Sequence, residues 1–172
     1  DIDGEAGEDR SGNSVSLSAD GNVVAIGAYG NDGIGNNAGH VRIYSYLRFG
    51  AWTKLGADID GEAADDFSGH SVSLSADGSV VAIGAYGNSG SAWSGNNAGH
   101  VRIYSYSGST WTQMGSDIDG EAGGDESGYS VSLSADGSVV AIGASKNDGA
   151  KHDGGHVRIY SYSGSTWTQV GS

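Results

Sequence analysis

The sequence predicts an all-β fold, and three observations carry that expectation. The stretch Ser14–Ala28, reading Ser-Val-Ser-Leu-Ser-Ala-Asp-Gly-Asn-Val-Val-Ala-Ile-Gly-Ala, returns almost letter for letter at Ser71–Ala85 and Ser130–Ala144. Each return is two short apolar runs joined by Ala-Asp-Gly, a hairpin signal because Asp and Gly accept the backbone of a tight reversal. No window has helical periodicity.

The repeat divides the chain into three copies, 1–57, 58–116 and 117–172. From the opening Asp to the hairpin Asp (Asp20, Asp77, Asp136) the spacing is constant. Length varies only before the recurring His (His40, His100, His156) and between it and the recurring Trp (Trp52, Trp111, Trp167), so those two places are expected to be surface loops. Four strands are expected per copy. In the first copy they are Ser14–Ser18, with small serines on one face that let a neighbouring sheet come close; Val23–Ala28, apolar on both faces; His40–Tyr46; and Ala51–Leu55. An inner strand apolar on both faces needs cover on both sides. Repeated four-stranded units of this kind are the pattern of propeller blades, which share stability with their neighbours. Three are too few for a ring of about 4–8 blades. The expected architecture is three tandem four-stranded antiparallel β-propeller-type blades, either a partial propeller or one completed by neighbouring chains.

Composition narrows the function classes. There are 32 glycines and no proline, so turns fall to Gly, Asn, Asp and Ser. A formal charge of −13, from 21 acids against 8 bases, argues against binding a nucleic-acid backbone, which needs a basic face. It also makes copies repel unless cations screen them. Cysteine is absent, so thiol and disulfide chemistry are excluded. No apolar run approaches the roughly 18 residues of a spanning helix, so no membrane span is expected. The chain opens and closes on repeat boundaries, and it is expected to be a window from a longer polypeptide.

Phe67-Ser68-Gly69-His70-Ser71-Val72-Ser73-Leu74-Ser75, followed by Val80-Val81-Ala82-Ile83-Gly84-Ala85, resembles the FG-GAP repeat of integrin-α-type propellers. Gly99-His100-Val101-Arg102-Ile103-Tyr104 and Trp111-Thr112-Gln113 resemble the rest of that blade. The resemblance covers all three copies and is nearest to the tandem arrays of secreted and surface proteins of microbes and algae. It implies a propeller fold and extracellular adhesion or recognition rather than catalysis. The Phe stands only in copy two, with Arg10 and Glu126 at its position elsewhere. The calcium loop of that family lies between the first two strands, where this chain has only Ser-Ala-Asp-Gly with one carboxylate.

Four constellations are candidates for chemistry. The repeat opening, Asp-Ile-Asp-Gly-Glu-Ala-x-x-Asp, supplies Asp1, Asp3, Glu5 and Asp9, then Asp58, Asp60, Glu62 and Asp66, then Asp117, Asp119, Glu121 and Asp125. Alternating carboxylates around a turn can hold Ca2+, which takes six to eight oxygens. The competing reading is an acidic connector between blades. The His-Val-Arg-Ile-Tyr-Ser-Tyr strand puts His40, Arg42, Tyr44 and Tyr46 on one face, with Arg102 and Arg158 at the same place in the later copies. It reads either as a ligand strip for sugars or as a ladder in which each Arg pairs an acid of the next copy. The histidines, three at one repeat position and His70 and His152 alone, offer no partnered catalytic set. The loop between strands two and three carries Trp93 in copy two and Lys146, Lys151 and His152 in copy three. Trp93 is either a contact residue or a cover for its own blade.

The expectation is therefore a non-enzymatic, extracellular or cell-surface structural or adhesive protein. It would self-associate through blade edges, as a homo-oligomer or with further copies of its repeat, into a filament or surface layer. The alternative is a propeller module that recognises a glycan or protein through its loops.

Overall fold

The computed structural model describes residues 1–47, 50–89, 97–149 and 151–171, the side chain at 47 aside. It is all-β, and no helix occurs among the described residues. Sheet one holds β1 (Ser14–Leu17), β2 (Val23–Ala28), β3 (His40–Leu47), β4 (Ala51–Lys54) and the short β5 (Ile59–Asp60). Sheet two holds β6 (Ser71–Leu74), β7 (Val80–Ala85), β8 (His100–Tyr106), β9 (Trp111–Gln113) and β10 (Ile118–Asp119). Sheet three holds β11 (Ser127–Leu133), β12 (Val139–Ala144), β13 (His156–Tyr162) and β14 (Trp167–Gln169). All pairings between these strands are antiparallel. Each sheet is a propeller-type blade of four strands from one copy, to which β5 and β10 add a short fifth strand in sheets one and two.

The hairpin turns form as the sequence requires. Asp20 Oδ1 accepts from Ser18 Oγ at 2.6 Å and from the Asn22 backbone N–H at 3.0 Å, closing the reversal. The Ser18 hydroxyl, with Asn22, holds the Asp20 carboxyl down to about 2. Asp136 is held down to about 2 in the same way by Ser134 and Ser138.

Two strands depart from expectation. In copy three the first strand begins at Ser127, because a bulge between Ser127 and Ser130 lets the ladder continue past the usual start. The repeat openings also contribute strands. Ile59 and Asp60 pair with Val41 and His40, and Ile118 and Asp119 pair with Val101 and His100. Each opening thus lies on the sheet of the preceding copy before the chain enters its own.

The core lies between the sheets. Ala25, Val41, Ile43 and Ile59 of sheet one pack on Leu74, Val81 and Ile83 of sheet two. Val80, Ala82, Val101, Ile103 and Ile118 then pack on Val140, Ile142 and Tyr160 of sheet three. The serine faces do bring sheets close: Ser14 Oγ donates to the Gly69 carbonyl at 2.7 Å, and Ser71 Oγ to that of Gly128 at 2.8 Å. Ser16 and Ser73 accept from the Leu74 and Leu133 backbone N–H groups. Trp111 Nε1 donates to the Leu55 carbonyl and Trp167 Nε1 to that of Met114, so each Trp bolts its blade to the one before. The inner strand is buried on both faces in sheet two, but in sheet three it alternates buried and half-buried. The expectation of double burial therefore holds for β2 and β7 and fails in copy three, where no blade among the described residues covers the outer face of β12.

This close approach makes glycine necessary at two positions. A Cβ on Gly27 or Gly84 would run into the carbonyl of Gly69 or Gly128 on the next sheet, whereas on Gly143 it would meet only the Ser130 side chain. Gly84→Ala should therefore lower stability by at least the ~1–3 kcal/mol of overpacking, and Gly143→Ala by clearly less. Chemical denaturation of the two variants measures the difference.

Candidate functional site

The carboxylates of one repeat opening go to separate duties. The ninth-position acids are buried braces. Asp9 accepts from the Ala6 N–H and Asn31, Asp66 from the Glu62 and Ala63 N–H groups and Asn88, and Asp125 from the Ala122 N–H and Asn147. At the third position the residue acts through its backbone: the carbonyls of Asp3, Asp60 and Asp119 accept from Arg42, Arg102 and Arg158. Glu5, Glu62 and Glu121 pair with the same arginines at 3.3, 3.5 and 3.4 Å. Asp58 accepts from Lys54 at 2.8 Å and Asp117 from Gln113 at 2.6 Å. Asp1 borders a shallow groove with Ile2, Tyr44 and Trp52.

Each arginine also lies over the Tyr two residues on, at 5.7–5.8 Å from the ring centre. The ladder reading had the acid coming from the next copy. The structure instead supplies Glu from the arginine's own copy. The reason is topological: the opening that carries Glu62 lies on sheet one while Arg102 stands on sheet two, so a pair within one copy still crosses a junction.

Residues of two copies converge at the histidines. Glu5, His40 and Asp58 form one group and Glu62, His100 and Asp117 a second. His40 and His100 are buried, with Nε2 lacking a hydrogen-bond partner. Burial pushes both imidazoles below their ordinary value, against the pull of Asp58 and Glu5 on His40 and of Asp117 and Glu62 on His100. Arg42 and Arg102 act in the same direction as burial. A third group, Asp148, His152 and Asp153, is exposed at all three positions.

The sequence reading missed this convergence, although a signal was present. His precedes Arg by two residues on the same strand face, so wherever Arg meets the opening Glu, His must be near it.

A second feature was also missed. Most of each repeat is invariant, yet several positions that differ between copies meet at one face. Arg10 lies over Tyr29 at 5.6 Å. Tyr29 contacts Phe67 and His70, Phe67 stacks on Tyr86 at 5.2 Å, and Tyr129 packs on both His70 and Tyr86. Glu126, paired with Lys146 at 2.7 Å, ends the strip. Arg10, Phe67 and Glu126 occupy one repeat position and all three have positive φ (57°, 55° and 55°), unusual for residues with side chains. Trp93 lies outside the described residues.

No family model matches the chain, and no curated protein is similar to it. Among solved structures it is similar to a putative 6-phosphogluconolactonase from Bacteroides uniformis (11% identity, 93% of this chain and 56% of that one, TM-score 0.44). It is also similar to hydrazine synthase of Kuenenia stuttgartiensis (16% identity, 83% and 43%, TM-score 0.48). A third is the periplasmic gluconolactonase of Pseudomonas aeruginosa (11% identity, 92% and 56%, TM-score 0.43). The chain spans about half the length of these structures. The expectation of a non-enzymatic chain is corrected here, because two of the three bear the names of lactonases. At these identities and TM-scores the likeness assigns no activity to this chain.

The depressed histidines make one prediction. The unfolded chain takes up protons below about 6.5, the ordinary histidine value, while folded His40 and His100 resist them. Stability in the presence of chelator should be fully present above about pH 6.5 and should decline as pH falls below it. Denaturant midpoints between pH 7.5 and 5 measure this, and the His40→Gln/His100→Gln variant should show a shallower decline.

Proposed function

We propose that this chain is a self-associating repeat scaffold, in which its end blades stack on those of another molecule, or on further copies of the same repeat, as consecutive copies stack within it. The carrying observation is that the two halves of the inter-blade interface lie uncovered at opposite ends. Leu17 is 59% exposed where its counterpart Leu74 is 7% exposed. At the other end Val157 is 67% and Ile159 43% exposed, where Val101 and Ile103 are at 0% and 1%. The first sheet presents the face that a preceding blade covers, and the third sheet the face that a following blade covers. A heterologous contact of this kind closes into a ring or runs on as a filament. Together with the FG-GAP resemblance of Phe67–Ala85, it favours a structural or adhesive role outside the cell or at its surface.

A second reading is favoured by the strip from Arg10 to Lys146. Where a repeat keeps its scaffold and varies one face, that face is suited to recognition. A glycan or protein ligand would meet aromatic rings with a cation at one end and an ion pair at the other. Loss of saturable glycan-array binding in Tyr129→Ala, with the fold intact, supports this reading; no binding by the unmodified chain contradicts it.

The leading reading predicts a specific mixing result. Leu17→Asp and Val157→Asp each place an unpaired charge in one half of the interface, and each alone should weaken association by at least ~100-fold. Mixed one to one, they retain one good half each and should form a dimer and nothing larger. Sedimentation velocity decides: a monomeric wild type at every concentration, or a monomeric mixture, contradicts self-association.

A further inference from the structure

We propose that each junction between consecutive copies binds a divalent transition-metal ion of the Zn2+ class, through one histidine and two carboxylates drawn from two copies. At the second junction the ligands are Glu62 and His100 with Asp117 of the following copy, and at the first Glu5 and His40 with Asp58. In each group the ligand atoms lie within 4.8 Å of one another. His100 Nδ1 stands 3.9 Å from Glu62 Oε2 and 3.9 Å from Asp117 Oδ2. These gaps are too long for hydrogen bonds. They leave the space that an ion with bonds of about 2.0–2.2 Å fills.

The histidine is the independent sign of a ligand. The His100 side chain is 2% exposed and its Nδ1 faces both carboxylates at 3.9 Å without a hydrogen bond to either, while the partnerless Nε2 lies across the ring from them. The outer oxygens are already held by other groups. Glu62 Oε1 faces Arg102 Nη1 at 3.5 Å, and Asp117 Oδ1 accepts from Gln113, so Oε2 and Oδ2 are left for the ion. The first junction repeats the device with Arg42 on Glu5 Oε1 and Lys54 on Asp58 Oδ1. Such outer partners fix the orientation of metal ligands.

The donor set selects the metal. One imidazole nitrogen with two carboxylates suits zinc, cobalt or nickel, whereas Ca2+ takes an all-oxygen shell. Glu62 is 46% exposed, so water can reach the remaining coordination position.

A third site stands half-built. His156 Nδ1 lies 3.8 Å from Glu121 Oε2. The missing carboxylate would be the opening Asp of a following copy, such as Asp1 of a second molecule. This last step alone rests on the self-association reading; the two sites within one molecule do not.

The test uses the full chain at a concentration where it is monomeric. Cobalt(II) is titrated while its visible absorption is followed, and zinc is titrated by calorimetry. Two ions per molecule are expected, one lost in His40→Gln, one in His100→Gln and both in the double variant. His152→Gln, in the exposed group, should leave both in place. Asp117→Asn is the milder variant should a histidine change disturb the fold, and it should also remove one ion. Absence of cobalt absorption, or two ions retained in the double variant, overturns the proposal. Two ions bound by a chain that never associates uphold the metal sites and overturn only the self-association reading.

Discussion

The structure depends on one constraint: its inner strands are apolar on both faces, so no sheet can satisfy itself. Val80 and Ala82 point to one neighbour while Val81 and Ile83 point to the other. Fully burying such a side chain is worth about 1.5–3 kcal/mol, and in sheet two the adjacent blades supply the cover. The polar devices serve that contact. Serines reach the next sheet's carbonyls, tryptophans reach back to the previous one, and hairpins link through Ala19 to Ala76 and Ala76 to Ala135 backbone hydrogen bonds. Exposure of Val15 and Leu17 at one end and Val157 and Ile159 at the other is the same constraint left unmet.

Much of the fold was legible because strand period and turn chemistry are local. Val23–Ala28 and His40–Tyr46 could be placed from alternation and from Ala-Asp-Gly alone. The sites were less legible because their partners are set by topology. The opening Asp-Ile-Asp-Gly-Glu reads as a single acidic loop, and its spacing suggests one cation held by its own carboxylates. In the structure Ile59 and Asp60 are tied into the preceding sheet, which sends Asp66 inward to Asn88, Glu62 to Arg102, and Asp58 back to Lys54. No local pattern reveals that crossing.

Invariant and variable positions divide the molecule's work. His, Arg, the opening Glu and the recurring Trp are the same in every copy and lie at junctions. Arg10, Phe67 and Glu126, with Asn13, His70 and Tyr129, differ between copies and gather on a single face, where the rings pack across the copy boundaries.

The claim that stability resides between blades, and not within them, is tested most directly by native-state hydrogen exchange on the whole chain. Amides of Val80–Ala85 and His100–Tyr106, covered on both sides, should exchange most slowly and together. Those of Ser14–Leu17 and His156–Tyr162, each open on one side, should exchange markedly faster despite near-identical sequence. Equal protection of equivalent strands in all three sheets would contradict the account.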